Sequence, residues 1–151
     1  MDEVALLEGL LRAYSPTGAE QAAVAYLTEA MRGLGFEAGV DEIGNAIGRR
    51  GEGERQIVLL GHIDTVAGEI AVRREGDLLY GRGAVDAKGP LACFVAAASQ
   101  VNVSPGWQVV VIGAVGEEGD SRGARWILDR YRPQYAIIGE PSGWDRVTLG
   151  Y

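Results

Sequence analysis

The sequence predicts a single α/β domain built on a buried sheet. Three runs rich in branched apolar residues, at 56–60, 107–115 and 135–139, are short and bounded by charges, glycines or prolines, as buried strands are. Apolar residues at helical spacing before and between these runs indicate flanking helices. A length of 151 residues with 47% apolar content suffices for one domain with a proper core.

The first fifty residues predict two amphipathic helices and a hairpin. Residues 2–13 carry apolar side chains at helical spacing. Thr17 is expected to open the second helix, because Glu20 follows at the spacing of a capping box. Two short strands, 36–40 and 45–50, flank a glycine-containing turn and form the expected hairpin.

The remainder predicts further strands and helices in alternation. Pro90 fits the first turn of a helix, and Ser121 is expected to cap another. The run at 107–115 is nearly all apolar and is therefore placed at the centre of the sheet. The other elements are predicted at 69–74 (strand), 78–80 (strand), 90–100 (helix), 122–131 (helix) and 146–151 (the start of a strand).

Composition and charge exclude several classes of function. A formal net charge of −7 without any Lys/Arg run argues against nucleic-acid and anionic-membrane partners. No apolar run approaches membrane-spanning length and the N-terminus is acidic, so the cytoplasm is the expected compartment. The single cysteine, Cys93, cannot form an internal disulfide and is predicted to be a small core residue.

The chemistry centres on His62, the only histidine of the chain. It lies where the strand at 56–60 meets a loop, and Asp64 follows two positions later. An imidazole that binds a metal usually needs a carboxylate or carbonyl on its other nitrogen, and Asp64 is placed nearby for that role. Alone, this pair is a weak signal, since a core histidine paired with an acid gives the same pattern.

Acids at the ends of other strands strengthen the signal. Asp86 follows a glycine-rich turn, Glu117 and Glu118 follow the central strand, and Glu140 ends the strand at 135–139. In an open α/β sheet that edge is where ligands bind. Carboxylates gathered there repel one another unless a cation lies among them, so one divalent metal or a pair is predicted. Individually, Asp86 could simply cap a helix and the Glu117–Glu118 pair could be solvated.

The loop at 81–89 contains glycines and Lys88 but does not match a phosphate-binding loop. A P-loop needs Gly-Lys-Ser/Thr entering a helix, whereas Lys88 precedes its glycine. Lys88 is expected instead to balance the acidic cluster.

Four motifs in register resemble the di-zinc aminoacylase and carboxypeptidase family, which includes acetylornithine deacetylase, succinyl-diaminopimelate desuccinylase and glutamate carboxypeptidase. They are GHIDTV at 61–66, GRGAVDAKG at 81–89, the Glu117-Glu118 pair and GEP at 139–141. The residues that surround these motifs most resemble the branch of the family that releases lysine or ornithine from an amino-group carrier protein. The resemblance implies a three-layer α/β sandwich with a mixed, mostly parallel sheet of the zinc-exopeptidase kind.

The resemblance also implies roles for the site residues. His62, Asp86 and Glu140 would bind one zinc, and Asp86 would bridge to a second zinc held by Glu118. Glu117 would be the general base, Asp64 would orient His62, and the Asp86–Ala87 peptide would be cis. Two Zn²⁺ ions per complete site are implied, although carboxylates and one imidazole also suit cobalt or manganese.

The chain departs from the family pattern in one respect. The family's second zinc takes a further histidine, and a lid domain supplies dimer contacts and substrate groups. Residues 1–151 are therefore expected to be the N-terminal portion of the catalytic domain, ending where the lid would begin, with the lid/dimerisation domain absent. The isolated chain is expected to have little or no activity, and the full-length form to be a homodimer.

Several alternatives remain open at this level. The substrate is expected to be carrier-protein-linked or an N-acyl amino acid, so deacetylase, desuccinylase and carboxypeptidase activities compete. A non-catalytic metal-binding or assembly module is an alternative of another class. A plain α/β domain with solvated acids is a third.

Overall fold

The computed structural model describes residues 2–142 and 147–149. The helices are α1 (Glu3–Arg12), α2 (Gln21–Gly33), α3 (Lys88–Gln100) and α4 (Arg122–Ile127). The strands are β1 (Glu37–Val40), β2 (Ala46–Arg50), β3 (Arg55–His62), β4 (Arg73–Glu75), β5 (Leu78–Tyr80), β6 (Trp107–Ala114) and β7 (Tyr135–Ile138). No helix in these described stretches is long and apolar enough to cross a membrane.

A five-stranded sheet in the order β1-β2-β6-β3-β7 forms the middle of the domain. β3 is parallel to both β6 and β7, while β2 is antiparallel to β1 and to β6. β2 therefore opposes the direction of the other four strands, and the predicted mixed, mostly parallel sheet is confirmed. β4 and β5 form a separate antiparallel pair.

Alternation along the strands produces the layers. Successive side chains of a strand point to opposite faces, and Val109 and Val111 of β6 accordingly pack into the larger core with α1, α2 and α3. Val110 and Ile112 point the other way, into a smaller core that contains Ile127 of α4. Helices thus cover both faces of the sheet, as the three-layer prediction requires.

Several element boundaries differ from the prediction because tertiary contacts override local signals. α2 begins at Gln21 rather than at Thr17, and the predicted capping box does not form: the Glu20 carboxylate accepts hydrogen bonds from the Gly18 amide and from Arg122. Ser121 has a left-handed backbone and no capping bond.

The remaining differences concern element lengths. The strand expected at 69–74 is formed only at Arg73–Glu75, α3 starts two residues early, and α4 ends at Ile127 instead of 131. Of the strand expected at 146–151, positions 146, 150 and 151 lie outside the described residues, and 147–149 form no strand.

The prediction that Cys93 is a core residue was wrong. Its side chain is exposed, whereas Leu91, Ala92 and Val95 of the same helix are buried. The apolar run in this part of α3 is continuous, so the sequence pattern could not show that position 93 faces outward.

Candidate metal centre

His62 is the last residue of β3, a strand with a parallel partner on each side. Its side chain is only 2% exposed. The Nδ1 atom lies 2.9 Å from the backbone carbonyl oxygen of Asp64, which can only accept, so Nδ1–H is the donor. This bond fixes the ring and leaves Nε2 facing the carboxylates of Asp86, Glu117 and Glu140, the orientation that a metal-binding histidine needs.

Asp64 is fully buried beneath His62 and joins three segments of the chain. The backbone amide of Glu117 donates to Oδ1 at 3.0 Å, and that of Glu118 donates to Oδ2 at 3.1 Å. The hydroxyl of Thr17 donates to Oδ2 at 2.8 Å, and His62 Nδ1 lies 3.6 Å from Oδ1. We refer to His62 and Asp64 together as the histidine base.

Around Nε2 lies the carboxylate rim, which consists of Asp86, Glu117, Glu118 and Glu140. Asp86 Oδ1 is 2.9 Å from Nε2, Glu140 Oε1 is 3.8 Å away and Glu117 Oε2 is 3.9 Å away. Possible ligand atoms lie within 4.8 Å of one another in two groups: His62, Asp86 and Glu140; and His62, Glu117 and Glu118. The predicted residues therefore do come together at the strand-end edge of the sheet.

The backbone brings the rim residues close to His62. The Gly139 amide donates to Leu60 of β3, and a Cβ on Gly139 would lie 2.7 Å from Phe94 and 2.9 Å from Pro90. Only glycine therefore lets the strand pass this close to α3 just before Glu140. On the other side of the site, the predicted cis Asp86–Ala87 peptide is confirmed.

The charges of base and rim are coupled. Burial would lower the pKa of His62, but its contacts with Asp64 and Asp86 raise it to about 10. Burial would raise the pKa of Asp64, but the hydrogen bonds and contacts from His62, Thr17 and the two amides lower it to about 2. For Glu118 and Glu140, burial and neighbouring carboxylates raise the pKa. Glu118 and Glu140 are thus harder to ionise in this setting.

Lys88 does not relieve this repulsion, contrary to expectation. Its buried ammonium donates to the carbonyls of Leu10 and Ala13 at the end of α1, at 3.0 and 2.9 Å. Burial lowers its pKa to about 8. Within residues 2–142 and 147–149, no lysine or arginine forms an ion pair with a rim carboxylate.

The donor set fits a divalent cation. An oriented imidazole nitrogen and several carboxylate oxygens that no lysine or arginine pairs with among the described residues are ligands that zinc, cobalt and manganese accept. His62, Asp86 and Glu140 offer three ligands to one ion. The other group, His62, Glu117 and Glu118, also offers three ligands but uses the same imidazole.

Sequence reasoning missed the role of Thr17. The only local signal at this position was the capping box, and it pointed to a helix start. The bond that Thr17 makes instead reaches Asp64, 47 positions away, and only the assembled fold reveals it.

The site consists of a buried histidine surrounded by carboxylates at the strand-end edge of an open α/β sheet, which is the edge where such sheets bind ligands. This arrangement is typical of α/β domains that bind a divalent metal. The family model for peptidase family M20/M25/M40 matches residues 58–151, and the chain belongs to this family.

Curated relatives are similar over nearly the whole chain. A protein of Thermococcus kodakarensis named putative [LysW]-lysine/[LysW]-ornithine hydrolase is 51% identical over 99% of this chain and 42% of its own length. The [LysW]-lysine hydrolase of Deinococcus radiodurans is 50% identical over 91% of this chain and 39% of its own. The chain thus spans about two fifths of the length of these relatives.

Solved structures share the fold. The metallo-carboxypeptidase Sso-CP2 of Sulfolobus solfataricus superimposes with a TM-score of 0.72, at 19% identity, over 92% of this chain and 37% of its own. Aminopeptidase PepT of Bacillus cereus gives a TM-score of 0.75, at 23% identity, over 93% and 43%. These likenesses concern the fold alone.

Proposed function

We propose that residues 1–151 are the N-terminal, metal-binding portion of the catalytic domain of a di-zinc amide hydrolase. Its substrate would be lysine or ornithine linked to an amino-group carrier protein. The observation that carries the proposal is the convergence of Asp86, Glu117 and Glu140 within 4 Å of His62 Nε2. The names of the relatives from Thermococcus and Deinococcus support the substrate class.

In this proposal His62, Asp86 and Glu140 hold one metal, and Asp86 is shared with a second metal that Glu118 binds. Two divalent ions at such a site supply Lewis-acid activation of water and of the amide carbonyl. Zinc is the proposed metal, with cobalt as a functional substitute.

Glu117 is the proposed general base. It is half exposed, at 44% for its side chain, and it is not needed as a ligand when Glu118 is one. Its carboxylate would accept the proton of the attacking water and then donate it to the nitrogen of the leaving amine. The hydrogen bond from the Glu117 amide to Asp64 connects the backbone of this proposed general base to the residue that supports His62.

Further features of the whole protein follow from the same proposal. They are a cytoplasmic homodimer, a place in amino-acid biosynthesis (lysine or arginine), and little activity of the 1–151 portion alone, because the second metal lacks a third ligand. Related amide hydrolases (acetylornithine deacetylase, succinyl-diaminopimelate desuccinylase, carboxypeptidase) are the competing activities.

The test is metal content per folded chain after zinc loading and exhaustive dialysis. The expected result is about one retained zinc, lost in Asp86→Ala and kept in Asp77→Ala. Asp77 is a matched control because it is an exposed acid in the turn between β4 and β5. Retention of two zinc ions would mean that another group supplies the missing ligand. No retained zinc, or equal retention in Asp86→Ala, would overturn the proposal.

A second experiment separates the enzyme from a non-catalytic metal-binding module. The chain is mixed with the C-terminal part of the Thermococcus relative and assayed with carrier-linked lysine and with N-acetylornithine. Hydrolysis of the carrier-linked substrate, abolished by Glu117→Gln, is expected. Zinc binding without hydrolysis of either substrate would favour the module.

A further inference from the structure

The segment between α1 and α2 runs beside the loop that follows β3. The Thr65 amide donates to the carbonyl of Ser15 at 3.0 Å, and the Thr17 amide donates to the carbonyl of Thr65 at 3.2 Å. The Ser15 hydroxyl donates to the carbonyl of Ile63 at 2.7 Å. Three hydrogen bonds therefore fix this segment against the backbone on both sides of Asp64.

Thr17 contacts both the histidine base and the loop that carries Glu117 and Glu118. Its hydroxyl donates to Asp64 Oδ2 at 2.8 Å. Its methyl group lies against Gly119, where an added Cβ would come within 3.1 Å. Thr17 thus lies between two elements that the proposed chemistry needs in register.

The bond from Thr17 differs in kind from the others that Asp64 accepts. The amides of Glu117 and Glu118 belong to the loop that is being positioned, so they cannot hold Asp64 still unless something else does. Thr17 donates from a segment that is itself anchored by the Ser15 bonds. A buried carboxylate held from both sides keeps one rotamer, and removal of one donor leaves part of its charge unsatisfied.

We propose that Thr17 is a positioning residue of the metal centre. By holding the Asp64 carboxylate, it keeps a negative charge 3.6 Å from His62 Nδ1 and fixes the backbone amides of Glu117 and Glu118 that donate to it. The metal part of this inference rests on the proposed function, whereas the part that concerns the two amides does not.

The variants are Thr17→Val, which removes the hydroxyl at constant shape, and Thr17→Ser, which restores it. Thr28→Val is the matched control. Thr28 lies buried in α2, and its hydroxyl has no hydrogen-bond partner among the described residues. It reports what the same substitution costs where no hydrogen bond is lost.

The first readout is zinc affinity, measured by competition with a chromophoric chelator at a temperature where circular dichroism shows every variant folded. Thr17→Val is expected to bind zinc about tenfold more weakly, the lower end for partners of metal ligands. The zinc affinity of Thr17→Ser is expected to stay within about threefold of wild type, and that of Thr28→Val to equal wild type. Equal affinity for Thr17→Val and Thr28→Val, or no rescue by Thr17→Ser, would overturn the metal part.

The second readout is amide hydrogen exchange in the metal-free chain, which tests the inference even if the wild type binds no zinc. Exchange of the Glu117 and Glu118 amides should be about tenfold faster in Thr17→Val than in Thr28→Val. Unchanged exchange would overturn the positioning role. Absence of zinc binding with faster exchange would instead count against the proposed function alone.

Discussion

The histidine base and the carboxylate rim use the same kinds of group under opposite conditions. Asp64 is fully buried, accepts three hydrogen bonds and has a pKa lowered to about 2. Asp86, by contrast, leaves 55% of its side chain exposed, and burial together with neighbouring carboxylates raises the pKa of Glu118 and Glu140. Three of the rim carboxylates lie within 4 Å of a single imidazole nitrogen.

The difference shows which part of the site the protein can stabilise by itself. The base is complete without an ion, because amides and a hydroxyl satisfy its charge. The rim carries a repulsion that His62, the one basic side chain within 4 Å of it among the described residues, offsets only in part, so its stability is expected to depend on a cation. Three predictions test this comparison.

Asp64→Asn should give the largest effect. A neutral amide cannot accept at both positions, so at least one donor among Thr17, Glu117 and Glu118 would be left unsatisfied in the interior. We expect the free energy of unfolding of the metal-free chain to fall by about 3 kcal/mol, measured by urea denaturation at pH 7. Asp77→Asn is the control, and a loss no greater than that of the control would refute the stabilising role of the base.

The contributions of the histidine base and the carboxylate rim to the unfolding free energy should change with pH in opposite directions. The pKa of Asp64 lies below its ordinary value of 3.8, so its stabilisation is present above pH 3.8 and is lost as the pH falls towards 2. The difference in unfolding free energy between wild type and Asp64→Asn should therefore shrink by about 2 kcal/mol over that window.

The rim should act in the opposite direction. The pKa values of Glu118 and Glu140 lie above their ordinary value of 4.5, so these groups destabilise the metal-free fold once ionised. Their contribution should improve as the pH falls from neutral through the raised pKa values towards 4.5. The measurement is the unfolding free energy of wild type minus that of Glu140→Gln between pH 7 and pH 4. This difference should increase as the pH falls, and a decrease would contradict the prediction.

Glu140→Gln at pH 7 should give the smallest effect on the metal-free chain. Loss of one repelling charge is expected to leave stability unchanged or to raise it by roughly a few tenths of a kcal/mol. With excess zinc, wild type should be more stable than Glu140→Gln, because the variant lacks a proposed metal ligand. If Glu140→Gln were as destabilising as Asp64→Asn without metal, base and rim would not differ as described.

Much of the fold was predictable because its strongest elements carry local signals. The apolar runs that became β3 and β6 are buried on both faces of the sheet and give an unambiguous strand pattern. Glu117, Glu118 and Glu140 were predictable because they follow apolar runs, and strand ends of a parallel sheet meet at one edge, whereas Asp86 follows a glycine-rich turn.

Two of the failures share a physical cause. Thr17 and Lys88 were each assigned from their neighbours in sequence, yet their contacts are set by distant segments. Lys88 binds the carbonyl of Leu10, 78 positions away, and Thr17 binds Asp64. No local pattern distinguishes a hydroxyl that caps a helix from one that holds a buried carboxylate.

The place of β3 in the sheet has a consequence for biosynthesis. Both of its partners, β6 and β7, lie later in the chain than β3 itself. On the ribosome, α1, α2 and the β1–β2 hairpin can pair locally, whereas the apolar β3 must wait for non-local partners. His62 is therefore synthesised long before Glu140 completes its surroundings. In the proposed site, a metal ion could therefore meet all three ligands His62, Asp86 and Glu140 only after β7 has been synthesised.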